Sequence, residues 1–128
     1  MIDRKDVDKL VVNAVTDIAN MFEYSTTEKI IGMIGDKYHC IKQVNVGTMP
    51  NATTKNVNHG ISNLYDVISA KGYAYTTNHA NRVIFPRSST TDNVCIDVNN
   101  FTNTQFEIIT GYNYSTYTGY VILEYTRS

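Results

Sequence analysis

From Lys37 to the C-terminus, short runs of β-branched and aromatic residues alternate with turn-forming residues. This feature restricts the fold most, because short strands separated by frequent turns are typical of antiparallel sandwiches and barrels. Val and Ile together supply 25 residues and Leu only 3, and β-branched side chains pack better on a pleated sheet than in a helix. The sequence therefore predicts a mostly β fold, a jelly-roll-like antiparallel β-sandwich of about seven strands.

The expected strands show two distinct faces where apolar and polar residues alternate. In the last run, Val121, Leu123 and Tyr125 share one face, which predicts that they point into a core. Gly72 interrupts a long run and is expected to mark a bulge or a bend. We expect strands at residues 38–46, 53–57, 64–75, 83–85, 94–98, 106–110 and 119–126.

The N-terminal segment has a helical pattern instead. Apolar residues recur at alternating steps of four and three, the repeat of a coiled-coil seam. Two interpretations remain open, since the helix could pack on its own domain or bundle with copies of itself. Several β-branched residues in the stripe favour a trimeric coiled coil over a Leu-based dimer. The residues of the expected trimerisation seam are Val7, Val11, Ala14, Ile18 and Met21.

These patterns divide the chain into three parts. Residues 1–22 form the expected N-terminal helix, residues 23–36 a linker, and residues 37–128 the β-sandwich head domain. Within residues 26–36, two glycines and an apolar cluster fit either a linker or a short strand.

Charge and hydropathy exclude several classes of partner. The formal net charge is −1, and no cluster of Lys and Arg suggests nucleic-acid binding. No apolar run approaches the roughly 20 residues of a membrane-spanning helix, and the N-terminus lacks the apolar region of a signal peptide. We therefore expect neither a nucleic-acid nor a membrane partner.

No catalytic or metal-binding motif stands out. The carboxylates are scattered, and the sequence contains no GxSxG, HExxH or phosphate-cradling glycine loop. His39, His59 and His79 lie 20 residues apart, outside the short spacings typical of metal ligands. Cys40 and Cys95 fit no CxxC pattern and are expected to be buried thiols. We expect no enzymatic activity and no cofactor.

The most suggestive stretch for binding is the loop at residues 111–118. It combines Tyr with Asn, Ser and Gly, a mixture that binding loops favour because Tyr offers a large rigid face at low entropic cost. Tyr is also common in packed structural positions, and that alternative stays open here. The candidate ligand contacts are Tyr112, Asn113, Tyr114 and Tyr117.

Three phrases of the sequence resemble one family. They are YSTTEKIIGMIGDKYHCIKQVNVG (24–47), MPNATTKNVNHGISNLYDVISAKGYAY (49–75) and ITGYNYSTYTGYVILEYTRS (109–128). In the same order, they are similar to phrases at the C-terminal end of bacteriophage fibre and appendage proteins, from tail or head fibres.

The resemblance implies a virion appendage protein, usually trimeric, that ends in a β-sandwich head and is made in the bacterial cytoplasm. Such heads often bind the host surface, commonly its carbohydrate, and the N-terminal helix would attach to other virion proteins. With only one short helix before the head, the resemblance implies a short fibre or knob. A capsid or tail decoration protein with a purely structural role is the alternative.

Overall fold

The computed structural model describes residues 24–88 and 94–128. Within them, most strands coincide with a run rich in β-branched or aromatic residues, whereas the strand at residues 54–58 is largely polar. A short 3₁₀ helix, Thr77–His79, connects two of the strands. The strands are β1 Lys29–Ile34, β2 Lys37–Thr48, β3 Thr54–Asn58, β4 Leu64–Tyr75, β5 Arg82–Phe85, β6 Ile96–Asn99, β7 Gln105–Thr110 and β8 Thr118–Arg127.

The strands form two antiparallel sheets. The larger sheet has the order β1-β2-β8-β4-β5, and the smaller one has the order β3-β7-β6. Buried apolar side chains from both sheets meet in one core, which is the layer arrangement of a β-sandwich. The prediction of a mostly β, antiparallel fold is confirmed. The seven expected strands correspond to β2–β8, and β1 is an eighth strand.

Strand β1 lies inside the segment expected to be a linker, so the short-strand alternative is the one observed. It pairs with β2 through Ile30 opposite Cys40 and Met33 opposite Tyr38. Gly35 has φ +60, and such a conformation suits a two-residue hairpin turn, for which glycine is favoured. The larger sheet therefore begins at Lys29, before the expected boundary of the head domain.

The core follows the alternation that was expected in the last strand. Val121, Leu123 and Tyr125 of β8 are all 0% exposed. Facing them from the smaller sheet are Phe106 and Ile108, which are also 0% exposed. Burial of large apolar side chains at about 25 cal/mol per Å² is the main force holding the two sheets together.

The irregularities of β4 are not at Gly72, which corrects the expectation of a bulge there. The register shifts between Leu64 and Asp66 and between Val67 and Ser69. Gly72 pairs regularly with Phe85 of β5. Its lack of a side chain makes room for the Phe85 ring, because a Cβ atom would meet that ring.

The expected N-terminal helix lies outside the described residues. Its seam residues Val7, Val11, Ala14, Ile18 and Met21 are therefore not placed by the structure. Across the described segments, no helix has the length and apolar character needed to cross a membrane.

Candidate functional site

The tyrosines of the loop at residues 111–118 differ in how far they are exposed to solvent. Tyr112 is 56% exposed, whereas Tyr114 is only 3% exposed, and Asn113 is also exposed. The Tyr114 hydroxyl donates a hydrogen bond of 2.8 Å to the Val94 carbonyl, and burial raises the pKa of this phenol. Tyr114 is thus a core residue, and of the four candidate contacts Tyr112 and Asn113 are the exposed ones.

This loop is also held rigidly against the segment that precedes β3. The Ala52 amide donates to the Tyr112 carbonyl at 2.9 Å, and the Tyr114 amide donates to the Pro50 carbonyl at 3.0 Å. Tyr117 is half-buried and contacts the Tyr114 ring edge-on, with ring centroids 5.3 Å apart. The loop is therefore a preorganised element that fixes the position of Tyr112.

A second group of aromatic side chains, not expected from the sequence, lies on the outer face of the larger sheet. The rings stack in the order Tyr73, Tyr120, Tyr75, His79, with successive centroids 5.1, 5.8 and 3.8 Å apart. The interplanar angles are 20°, 23° and 21°. We call these four residues the tyrosine ladder.

Strand alternation explains why the ladder faces outward. Tyr120 precedes the buried Val121 in β8, and Tyr73 precedes the buried Ala74 in β4. Residues that alternate along a strand point to opposite faces of the sheet. Tyr73 and Tyr120 are direct cross-strand partners, so their rings meet on the outer face.

The hydroxyl groups of the ladder form a polar rim. The hydroxyls of Tyr75 and Tyr120 lie 3.0 Å apart, and this hydrogen bond raises the pKa of Tyr75. The Tyr73 hydroxyl lies 3.5 Å from Oε1 of Gln43, to which it donates. Stacked rings topped by linked hydroxyls give a surface that is apolar along its sides and polar at its edge.

The ladder extends to an edge strand and to the 3₁₀ helix. Ile84 of β5 pairs with Tyr73 and is 79% exposed. At the other end, Asn78 and His79 have φ values of 57° and 56°, a left-handed backbone that few non-glycine residues adopt. Strained backbone of this kind is often associated with functional sites.

The ladder and the loop share one end of the sandwich. Thr118, the last residue of the loop, starts β8 and pairs with Tyr75, while Tyr120 lies two residues further on. The half-buried tyrosines of the ladder and the exposed Tyr112 of the loop therefore lie toward the same end of the sandwich.

The three histidines have separate environments. Nε2 of His39 lies 2.8 Å from a Glu124 carboxylate oxygen. His59 is 1% exposed, its Nε2 donates to the Thr102 carbonyl at 2.9 Å, and its Nδ1 accepts from the Ile61 amide at 3.0 Å. His59 is thus a structural residue in its Nε2–H tautomer.

No candidate metal or redox centre emerges from the described part of the chain. Within residues 24–88 and 94–128, His, Cys, Asp and Glu side chains do not gather in groups of three or more that could hold a metal. Cys40 is buried and Cys95 is half-buried, and both are free thiols.

Comparison with known proteins finds no match: no family model, no curated protein and no solved structure matches this chain.

Proposed function

We propose that the chain is a bacteriophage virion surface protein, a short trimeric fibre or knob whose β-sandwich head binds a host-surface glycan or receptor. The ordered phrases between residues 24 and 128 support this proposal through their resemblance to fibre and appendage proteins. The antiparallel β-sandwich is compatible with such a head. We propose a binding role rather than a catalytic one.

The observation that carries the binding role is the tyrosine ladder. Tyr side chains provide rigid, amphipathic contact area and are enriched in binding surfaces. At the ends of the stack, Tyr73 and His79 each have one ring face without a ring partner among the described residues. A sugar presents both C–H groups and hydroxyls, which match free ring faces and the hydroxyl rim respectively.

Tyr112 and Asn113 extend the proposed contact surface. Both are exposed and are carried by the rigid loop at the same end of the sandwich. Preorganised side chains lose less conformational entropy on binding, which strengthens a contact of given area.

A glycan array probed with the labelled full-length chain tests the proposal. We expect binding to a restricted set of bacterial surface glycans, reduced at least about tenfold in Tyr73→Ala and in Tyr112→Ala. Tyr65→Ala is the matched control, because Tyr65 is 64% exposed but lies at the opposite end of β4. Binding unchanged in all three variants would exclude this surface as the receptor site.

The trimer is proposed from the heptad pattern of residues 7–21. Light scattering should give about three times the 14.4 kDa mass of one chain. Val11→Asp and Ile18→Asp should disperse the trimer, because each would bury facing charges. A wild-type mass equal to one chain would contradict the trimer. The glycan array would still test the binding role, because its outcome does not depend on the oligomeric state.

The alternative, a decoration protein with a structural role, is favoured by one observation. The β1–β2 hairpin exposes apolar side chains: Met33 is 56%, Ile34 49% and Tyr38 41% exposed. A cluster of exposed apolar residues is typical of an interaction surface. Purified protein that attaches to virions but never to host cells would favour this alternative over receptor binding.

A further inference from the structure

Two basic residues of the larger sheet occupy positions that strand alternation assigns to the face toward the core. Lys42 lies between the buried Cys40 and Val44 in β2, and Arg127 follows the buried Tyr125 in β8. Inward-pointing positions of a sandwich are normally apolar, because burying a charge without a partner is costly. Lys42 and Arg127 are both half-buried, so each keeps part of its hydration and the rest of its compensation must come from nearby groups.

Arg127 has an anionic partner. Its Nε donates to Oε1 of Glu28 at 2.8 Å, and the Tyr125 hydroxyl donates to the same oxygen. Glu28 raises the pKa of Arg127 through this hydrogen bond. The charges of Glu28 and Arg127 thus compensate each other.

Lys42 has no such partner. Its ammonium donates one hydrogen bond of 2.8 Å to the His59 carbonyl, although an ammonium group has three donors. Among the described residues, no carboxylate pairs with it. The positive charge of Lys42 is therefore not compensated by a carboxylate among the described residues, and part of its hydrogen-bond donors are unused on the core side of the sheet.

The loop facing Lys42 is rigid and allows a close approach. Gly60 has φ +64, and a Cβ atom there would lie 3.1 Å from Nζ of Lys42. The Gly60 amide donates to Oδ1 of Asn58 at 2.8 Å, and both ring nitrogens of the buried His59 are hydrogen-bonded. Lys42 and this loop are thus held in direct contact.

Beside this contact lies a cavity of about 320 Å³, near the lower limit for small-ligand sites. It is lined by Glu28, Lys42, Gly60, Ile61, Ser62, Tyr125 and Arg127. We propose that this cavity binds a small ligand bearing a single carboxylate, held by Lys42. The site faces the core side of the larger sheet, opposite the tyrosine ladder, and does not depend on the proposed receptor function.

The charges of the lining residues select for a monoanion. One ligand carboxylate would neutralise the charge of Lys42 and accept charge-assisted hydrogen bonds from its unused N–H groups. Near neutral pH inorganic phosphate is a mixture of the monoanion and the dianion, so on average it would bring more negative charge than a carboxylate close to Glu28, and like charges in a partly desolvated site repel each other. We therefore expect a carboxylate to bind in preference to phosphate.

Titration of the ¹⁵N-labelled full chain with D-glucuronate, D-glucose and inorganic phosphate tests this site. The two sugars differ by the carboxylate, so they form a matched pair. We expect glucuronate to shift the amide signals of Gly60, Ile61 and Ser62 saturably, with phosphate weaker and glucose inactive. Equal shifts with glucose, no saturable shift with glucuronate, or tighter binding of phosphate would each overturn the proposal.

Lys42→Met removes the charge and keeps most of the side-chain length. It should weaken glucuronate binding at least about tenfold, whereas Lys42→Arg should retain it. Lys55→Met is the control, because Lys55 is also half-buried but caps the carbonyls of Val46 and Thr48 outside the cavity. Unchanged affinity in Lys42→Met would overturn the role of Lys42. If that variant does not fold, the comparison of glucuronate with glucose on the wild-type chain still decides whether the cavity binds a carboxylate.

Discussion

The Phe85 ring lies directly over the backbone of Gly72, such that a Cβ atom on Gly72 would be 1.9 Å from Cε2 of the ring. The two residues are cross-strand partners in β4 and β5. Phe85 is 3% exposed and belongs to the core. The absence of a side chain at residue 72 thus allows the edge strand β5 to bury its only large core residue.

Gly72→Ala should therefore destabilise the fold. The added methyl group must displace a ring that is packed in the core, and overpacking of this kind costs about 2 kcal/mol or more of unfolding free energy. Urea denaturation followed by tyrosine fluorescence measures the change.

Gly32→Ala provides the control for this substitution. Gly32 also lies in a strand, but nothing is within 4 Å of a Cβ atom there. Its variant should differ from wild type by less than about 0.5 kcal/mol. Equal effects of the two substitutions would show that the Phe85 contact is not the cause.

Tyr114→Phe tests whether the loop tyrosine is structural. It removes the hydrogen bond to the Val94 carbonyl from a side chain that is 3% exposed, and should lower the unfolding free energy by about 1 kcal/mol. Tyr112→Phe, at an exposed position, should leave stability unchanged. A stability loss in Tyr112→Phe but not in Tyr114→Phe would contradict this assignment.

Much of the fold could be predicted from the sequence because strand alternation is local. The long run at residues 64–75 coincides with β4, and the buried face of β8 follows from its alternation. β1 was harder to predict, since Ile30 and Ile31 are adjacent and Gly32 follows, so neither face is distinct. The register shift between Ile30 and Gly32 reflects this irregularity.

The candidate site could be predicted less well, because it depends on which strands are neighbours. Tyr73 and Tyr120 are far apart in sequence and meet only because β4 and β8 pair. In contrast, the tyrosines of the loop at residues 111–118 could be recognised together in the sequence. Which of them is buried could not, because Tyr114 packs against a distant segment that includes Val94. The one local signal for the cavity was a basic residue, Lys42, at an apolar position of a strand.

Glu28 should make stability depend on pH. Burial raises the pKa of its carboxyl, but the hydrogen bonds from Arg127 and Tyr125 outweigh burial and bring the pKa below its ordinary value of 4.5. A carboxylate with a lowered pKa in the folded state adds stability above the unfolded-state pKa. That stability is lost as the pH falls through the folded-state pKa.

Glu28→Gln is therefore expected to cost about 1 kcal/mol at pH 7 and progressively less below about pH 4.5. Thermal unfolding of both proteins from pH 7 to pH 3 measures this convergence. Asp36→Asn serves as the control, because the Asp36 side chain is 89% exposed and should give parallel curves. A difference between wild type and Glu28→Gln that is constant over this range would exclude the ionised pair as its source.

The two thiols should react at very different rates. Cys40 is 0% exposed, and burial, together with the nearby Glu28 charge, raises its pKa to about 11. Cys95 is half-buried. Because the thiolate is the reactive form and must reach the reagent, iodoacetamide at pH 8 should modify Cys95 in the native protein and Cys40 only after unfolding.

Mass spectrometry of the native and urea-unfolded protein reports both sites, and Cys95→Ser should leave the native chain unmodified. Native Cys40 reacting as fast as in urea would contradict the protection that its burial predicts.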